Sequence, residues 1–251
     1  FKGVAVFVFL TYFLYNIINL FSIHKMFNKQ NWLNDYKKIK IMRKEKNAPV
    51  DTMGAHALAD KNSPPNVFRF QCFVAALLSS RTRDEKTYLA MNNLKKYGLE
   101  IDNILNTSLD EIKILLKPVG FANKKSKYLK NCCQILKNEY NNDIPQTLKQ
   151  LLKLPGIGKK MATLILQTAW NINDGISVDT HVHRITNRLK WCNTKKPDKT
   201  KDDLEDIIPN QYWMEINPTI VGFGQQICLP RNPRCSQCLL KNICPFKLLK
   251  I

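Results

Sequence analysis

The stretch that decides the fold class is 146–170, which reads QTLKQLLKLPGIGKKMATLILQTAW. A short helix is expected to end before Pro-Gly-Ile-Gly and a second helix to begin after it, which predicts a tight hairpin between two helices. Gly156 and Gly158 are expected to adopt backbone angles that a side chain would forbid and to let another backbone come close. The pattern is typical of a helix-hairpin-helix.

The start of the second helix is a predicted anion site. Its first amides have no partner within the helix, and Lys159 and Lys160 stand beside them, so a DNA phosphate is the expected ligand. An ordinary corner of two helices is the alternative. The motif by itself does not make an enzyme, because many DNA-binding proteins use it only to hold the backbone.

Lys160 is the candidate nucleophile. An amine at a helix N-terminus and next to Lys159 lies in a positive potential, which is expected to lower its pKa from the usual value of about 10.4. In its neutral form it can attack the sugar carbon of a damaged nucleotide, expel the base and hold the opened sugar as a Schiff base. A simple phosphate contact is the alternative role.

Asp179 is the candidate carboxylate, within ISVDTHVHRITNRLKW at 176–191. Aspartate is a preferred helix N-cap, which is its structural alternative. Near Lys160 it would stabilise positive charge on the sugar and help the amine lose its proton. His181 and His183 have no partner at metal-ligand spacing, so they are predicted to be structural or to face phosphates.

A group of cysteines near the C-terminus predicts a metal centre. Their spacings are six, two and five residues, and they are Cys228, Cys235, Cys238 and Cys244. Zinc sites usually present two close pairs from separate turns, whereas one compact loop around four thiolates favours an iron-sulfur cluster. Arg231, Arg234 and Lys241 lie in or beside this loop and predict a basic surface that touches DNA.

The composition of the 251-residue chain agrees with a polyanionic partner. Lys and Arg number 39 against 20 Asp and Glu, a formal charge of +19, and the basic residues are spread along the chain. Such a balance suits phosphate-backbone binding, although ribosomal and membrane-surface proteins share it. Eight cysteines in a chain this long favour a ligand cluster in a reducing compartment over a secreted disulfide domain.

The body of the chain has helical periodicity, so the predicted fold class is all-α. Ser108, with Glu111 three residues later, predicts a helix start. Apolar stripes at helical spacing are Phe70, Phe73, Val74, Leu77 and Leu78; Leu109, Ile112, Leu115 and Leu116; Tyr128, Leu129, Cys132, Ile135 and Leu136; Ala162, Ile165, Leu166 and Ala169; and Val182, Ile185 and Leu189. Cys132 and Cys133 are therefore expected to be packing groups.

Residues 1–30 are predicted to be a targeting segment outside the fold. The apolar stretch 3–23 is long enough to span a bilayer of about 30 Å, and 24–46 is rich in Lys and Asn, as organellar transit peptides tend to be. An organelle with its own genome, a mitochondrion or plastid, is the expected location. The nucleus is the alternative if this leader is spurious, and a membrane-anchored protein with an incidental hairpin is a rival that rests on 3–23 alone.

Several motifs together resemble the endonuclease III family, closest to its eukaryotic branch. They are LPGIGKK at 154–160, SVDTHVHRITNRLKW at 177–191, the cysteine spacing, LLSSRTRD at 77–84, KPVGFANKKSKYLK at 117–130 and VGFGQQ at 221–226. The resemblance covers about residues 48–246.

The resemblance implies a bifunctional DNA glycosylase and abasic-site lyase for oxidised pyrimidines in duplex DNA. Lys160 and Asp179 match the catalytic pair, and the four cysteines match the ligands of a [4Fe-4S] cluster. A six-helix barrel at 66–173, with the hairpin at 146–170, and a cluster domain at 31–65 and 174–251 would enclose a DNA cleft that holds the flipped nucleotide. A monomer without a stable membrane partner is expected.

Two positions carry the resemblance less completely. The family usually has glutamine where Arg81 stands, a residue that fills the gap left by the flipped nucleotide. The resemblance therefore does not carry the contact to the opposite base over to Arg81. Phe121 takes the place of an apolar wedge, and plain core packing is its alternative.

Two rival functions have testable signatures. The adenine glycosylase of the same superfamily lacks the lysine nucleophile and has an extra C-terminal domain, so Lys160 and the chain ending at Ile251 argue against it. A catalytically silent DNA-binding module requires Lys160 to lie against phosphate and to face away from the cleft.

Overall fold

The computed structural model describes residues 32–248, and within that range it contains helices and no β-strand. The all-α prediction is therefore confirmed. The helices are α1 (32–42), α2 (Pro49–Met53), α3 (Pro65–Ser79), α4 (Asp84–Tyr97), α5 (Ile101–Asn106), α6 (Leu109–Leu115), α7 (Ala122–Glu139), α8 (Leu148–Leu151), α9 (Lys159–Trp170), α10 (Thr180–Arg188), α11 (Pro197–Ile207), α12 (Trp213–Gln226) and α13 (Pro245–Leu248). Short 3-10 turns lie at Ala55–Ala57, Asn210–Tyr212 and Cys235–Gln237.

Local sequence signals set several helix ends. Ser108 caps α6 as predicted, because its hydroxyl accepts a hydrogen bond from the backbone N–H of Glu111 at 3.2 Å. Helix α4 ends at Gly98, whose φ of +103° provides the left-handed C-terminal cap that glycine favours. Asp179 caps α10. These caps fix where the helices begin and end, and the Asp179 cap lies at the candidate site.

One hydrophobic cluster is built around α3, which packs against α9 and also contacts α4 and α7. The predicted α3 stripe is buried, and Cys132 and Cys133 are fully buried packing groups, as expected. Tyr128 departs from its predicted stripe, because its ring is 37% exposed and lies against Gly156 of the hairpin. Its place is at the edge of the core, where it supports the turn.

A second hydrophobic cluster joins α1, α10, α11 and α12. Its aromatic part is Trp32, Tyr36, Trp191 and Tyr212, with ring centroids about 5.4–6.3 Å apart in tilted or edge-to-face pairs. The indole N–H of Trp191 donates to the buried carboxylate of Asp35 at 3.0 Å. This cluster supports α10 and α12, which lead to the cysteine loop.

The two clusters meet through α2, which packs against both α4 and α12. Ala55 and Leu58 belong to the α3 cluster, although the predicted boundary at residue 65 assigns them to the other domain. The domain boundaries themselves stay a prediction.

Over the part of the chain that the structure describes, no helix has the length and apolar character needed to cross a membrane. The predicted targeting segment at 1–30 lies outside the described residues.

Candidate active site and cysteine cluster

The hairpin between α8 and α9 has the predicted form, and its two glycines have different reasons to be there. Gly156 has a φ of +82°, and a Cβ at this position would lie 2.5 Å from Cδ2 of Tyr128. Gly158 has an ordinary φ of −104°, so the expectation of a forbidden backbone angle is wrong there. A Cβ on Gly158 would meet only Met161 Cε, at 3.9 Å, so the space in front of this exposed glycine is open.

Lys160 is the second residue of α9 and is half-buried. Its Nζ makes no hydrogen bond or salt bridge with any residue from 32 to 248 that the structure describes. Burial lowers the pKa of Lys160, while the carboxylates of Asp179 and Asp84 act in the opposite direction. The cause therefore differs from the sequence argument, because Lys159 is exposed and pairs with Asp198 at 3.3 Å.

Asp179 is brought to Lys160 by the buried segment that precedes α10. The hydroxyl of Ser177 donates to the backbone carbonyl of Lys160 at 3.4 Å, and Nδ2 of Asn217 donates to the carbonyl of Ser177 at 2.8 Å. Oδ1 of Asp179 accepts the N–H groups of His181 and Val182 at 2.9 and 2.8 Å. Asp179 is therefore the N-cap of α10, and it lies close enough to Lys160 for its charge to raise the pKa of that amine.

A second carboxylate at this site, Asp84, was not identified from the sequence. Oδ2 of Asp84 accepts a hydrogen bond from Nε2 of Gln225 at 2.7 Å, and Oε1 of Gln225 accepts the N–H of Val50 at 3.0 Å. Burial raises the pKa of Asp84, and the nearby charge of Lys160 opposes this. Asp84 is the last residue of the motif LLSSRTRD, and Gln225 lies in VGFGQQ. An acid directly after a basic run is the sequence signal that could have identified Asp84.

The two histidines of α10 make structural contacts, in line with one of their predicted roles. Nδ1 of His183 lies 2.6 Å from Oγ1 of Thr200, and Nδ1 of His181 lies 3.3 Å from Nη2 of Arg184.

Arg81 and Phe121 come together although 40 residues separate them in the chain. Both have left-handed backbones, with φ of +50° and +60°. The guanidinium carbon of Arg81 is 5.9 Å from the centroid of the Phe121 ring. Phe121 is 57% exposed, which excludes the core-packing alternative.

The four clustered cysteines line one cavity, together with apolar side chains that include Phe223, Ile227 and Phe246. All four are free thiols. Burial raises the pKa of Cys228, while its hydrogen bond from Arg188, with N to Sγ at 3.4 Å, favours the thiolate. Among residues 32–248 no group of three or more His, Cys, Asp or Glu side chains is arranged to hold a single metal ion. A cavity walled by four thiols suits the donor set of an iron-sulfur cluster, whose ligands bind different iron atoms.

Two arginines connect the helix that starts at Asp179 to the cysteine loop. Arg184 donates to the carbonyl of Cys228 at 2.9 Å, and Arg188 donates to the carbonyls of Leu229 and Pro230 at 2.8 Å each. Arg231, Arg234 and Lys241 are exposed around the same loop, and the contact of this basic surface with DNA stays a prediction.

Comparison with known proteins gives consistent matches. A family model described as "HhH-GPD superfamily base excision DNA repair protein" matches residues 74–210. Endonuclease III-like protein 1 of Gallus gallus is 48% identical, covering 86% of this chain and 78% of that protein. The endonuclease III homolog of Schizosaccharomyces pombe is 45% identical over 86% of this chain and 62% of that protein. A solved structure of a trapped endonuclease III-DNA covalent intermediate superposes with a TM-score of 0.77 at 23% identity, over 88% of this chain and 98% of that one, a likeness of fold.

Proposed function

The chain belongs to the HhH-GPD superfamily of base excision DNA repair proteins and is a DNA glycosylase of the endonuclease III type, and from this premise we propose that it is bifunctional. It removes oxidised pyrimidines from duplex DNA and then cleaves the abasic site as a lyase. The observation that carries the proposal is the amine of Lys160, which is unpaired among the described side chains, has a pKa lowered by burial and stands beside Asp179.

In the proposed reaction the neutral Nζ of Lys160 attacks C1′ of the flipped nucleotide. The glycosidic bond breaks and the base leaves with its electron pair, taking up a proton. Ring opening and loss of the amine proton give a Schiff base between Nζ and C1′. Loss of a proton from C2′ then breaks the C3′–O3′ bond in a β-elimination, and water hydrolyses the imine to release Lys160.

Asp179 has two tasks in this scheme. Its carboxylate stabilises the positive charge that develops on the sugar as the base departs, and it attracts the proton that the amine must lose. Because the N-cap hydrogen bonds already fix Oδ1, the carboxylate needs no rearrangement to act.

The DNA partner is proposed from the hairpin and the charge of the chain. The amides at the start of α9 and the open space at Gly158 suit a phosphate of the backbone. Arg81 and Phe121 are proposed to enter the duplex where the damaged nucleotide leaves it. The protein is proposed to act as a monomer on duplex DNA that contains a damaged base or an abasic site.

The cysteine cavity is proposed to hold a [4Fe-4S] cluster on Cys228, Cys235, Cys238 and Cys244. When bound, the cluster supplies four metal-thiolate links that close the loop, and Arg184 and Arg188 connect that loop to α10. Purified protein should contain about four irons per chain and show the visible absorption of such a cluster. A Cys238→Ser variant should lose much of both.

Borohydride trapping tests the lyase. Wild-type protein should form a covalent adduct with abasic or thymine-glycol DNA, and Lys160→Ala should form none. Lys159→Ala is the matched control, because it removes a neighbouring charge that is exposed. At saturating protein it should retain the adduct, although it weakens DNA binding. A wild-type protein that cleaves the glycosidic bond without any adduct would be a monofunctional glycosylase.

Substrate preference separates this proposal from adenine glycosylase activity. Excision of thymine glycol from a duplex should be at least ten times faster than excision of undamaged adenine, a difference of about 1.4 kcal/mol in transition-state binding. The reverse order would overturn the proposed substrate class.

Targeting by residues 1–30 to an organelle with its own genome stays a proposal from sequence. Imaging of a tagged full-length chain tests it, and a nuclear signal would favour the alternative location.

A further inference from the structure

Lys125 is a buried lysine that the proposed reaction does not use. Its side chain is 4% exposed and reaches from α7 to the turn after α3. Its Nζ donates to the carbonyls of Leu78 and Ser80 at 2.7 Å each and to Oγ1 of Thr82 at 2.9 Å. An ammonium group has three donors, so all three are directed at this one turn.

The turn that the Lys125 side chain holds contains Arg81, and Phe121 is the N-cap of α7, the helix that carries Lys125. The N–H of Lys125 donates to the carbonyl of Phe121 at 3.0 Å. The Lys125 side chain therefore holds the Arg81 turn directly, and Phe121 meets that turn through the Arg81 guanidinium, whose carbon lies 5.9 Å from the centroid of the Phe121 ring. The backbone before Phe121 lies close to the Arg81 turn. A Cβ on Gly120 would lie only 3.3 Å from the carbonyl oxygen of Arg81.

Both turns need such support. Arg81 and Phe121 are not glycines, yet both have positive φ, and backbones of this kind persist only where surrounding contacts hold them. The cost of burying the Lys125 charge is visible in its pKa, which burial lowers to about 8. Phe121 is an exposed apolar ring on a backbone of positive φ, and it lies beside a turn that a buried charge holds. This arrangement points to a function outside the fold itself.

We propose that Lys125 is a positioning residue that holds Arg81 and Phe121 as one preformed unit, ready to fill the duplex where the damaged nucleotide leaves it. The proposal rests on the proposed function, in which these two side chains meet DNA. Because misplacement by about 1 Å can cost a factor of roughly 100 in rate, loss of Lys125 should slow the steps that need nucleotide flipping.

The test compares two substrates under single-turnover conditions. Lys125→Met keeps a long side chain and removes the three donors. Excision of thymine glycol from duplex DNA should slow by roughly ten- to a hundredfold, because the Arg81 turn is no longer held in place. Borohydride trapping on single-stranded abasic DNA, which needs no flipping, should stay within about twofold. Lys124→Met removes an exposed neighbouring charge and should change both substrates by the same factor.

Two further variants keep the test decisive. In an Arg81→Ala background, Lys125→Met should have little additional effect on duplex excision, because the hydrogen bonds of Lys125 act through the turn that positions Arg81. If Lys125→Met fails to fold, Thr82→Val removes one of the three acceptors and should slow duplex excision selectively by a smaller factor. Equal loss on both substrates, or full additivity with Arg81→Ala, would overturn the proposal for Lys125. Absence of any adduct with the wild-type protein would instead contradict the lyase.

Discussion

At Lys160, the rate of Schiff base formation depends on the fraction of the amine that is uncharged. Burial lowers the pKa of Lys160, so the single-turnover rate should rise with pH and level off below the ordinary lysine pKa of about 10.4. The measurement is a pH profile of borohydride trapping on single-stranded abasic DNA. A midpoint at or above the ordinary value would show that the amine is not desolvated.

Substitution of Asp84 should shift the pH profile of borohydride trapping in a direction that its charge predicts. Its carboxylate raises the pKa of Lys160, so Asp84→Asn should shift the midpoint of the trapping profile to lower pH. The amide oxygen introduced by this substitution would still accept a hydrogen bond from Gln225, so the contact between α4 and α12 is kept. An unchanged midpoint would mean that Asp84 serves only to join the helices.

Lys125 should make stability depend on pH in alkaline solution. Its folded pKa is about 8, below the unfolded value of about 10.4, so between these values the unfolded chain binds more protons and stability rises with pH. The free energy of unfolding of the wild type minus that of Lys125→Met should therefore increase from pH 8 to pH 10. A flat difference, measured by urea denaturation, would contradict the lowered pKa.

The hairpin between α8 and α9 shows how two glycines of one element are needed for different reasons. Gly156→Ala should destabilise the protein by at least about 1 kcal/mol, because φ is positive and the Cβ would meet the Tyr128 ring. Gly158→Ala should destabilise the protein less than Gly156→Ala, since φ is ordinary there and the Cβ would point into open space. Its remaining cost is the loss of glycine at the N-cap of α9. It should weaken DNA binding about tenfold, the cost of one lost charged hydrogen bond. Equal destabilisation by both changes would refute this division.

Across the whole molecule, the excess of Lys and Arg should make DNA binding strongly dependent on salt. The charge of +19 predicts that the logarithm of the affinity falls linearly with the logarithm of salt concentration. Lys159→Ala should reduce the slope by about one, as expected for a lysine that contacts a phosphate. Lys137→Ala is the control. It removes an exposed lysine that is paired with Asp102 and should leave the slope unchanged. The slopes can be measured by fluorescence anisotropy with a labelled duplex.

Much of the fold and the main site follow from local sequence patterns. The 3.6-residue stripes, the Ser108 and Asp179 caps and the hairpin glycines depend on neighbours within a few residues, and the helices they predict are present. The cysteine spacing within one loop is also local, and the four thiols line one cavity. The roles of Lys160 and Asp179 stay predictions that the geometry supports.

Tertiary structure alone decided which distant residues meet. Asp84, Gln225 and Val50 converge from three helices, and Lys125 reaches the Arg81 turn through hydrogen bonds to residues 43–47 positions away. Burial is likewise the largest cause of the lowered pKa of Lys160, whereas the sequence suggested that the charge of Lys159 lowers it. The sequence by itself determined the helices, the hairpin and the spacing of the reactive groups, because those depend on short-range backbone preferences. Desolvation and contacts between distant segments depend on how the helices pack, and no pattern within a short window contains that information.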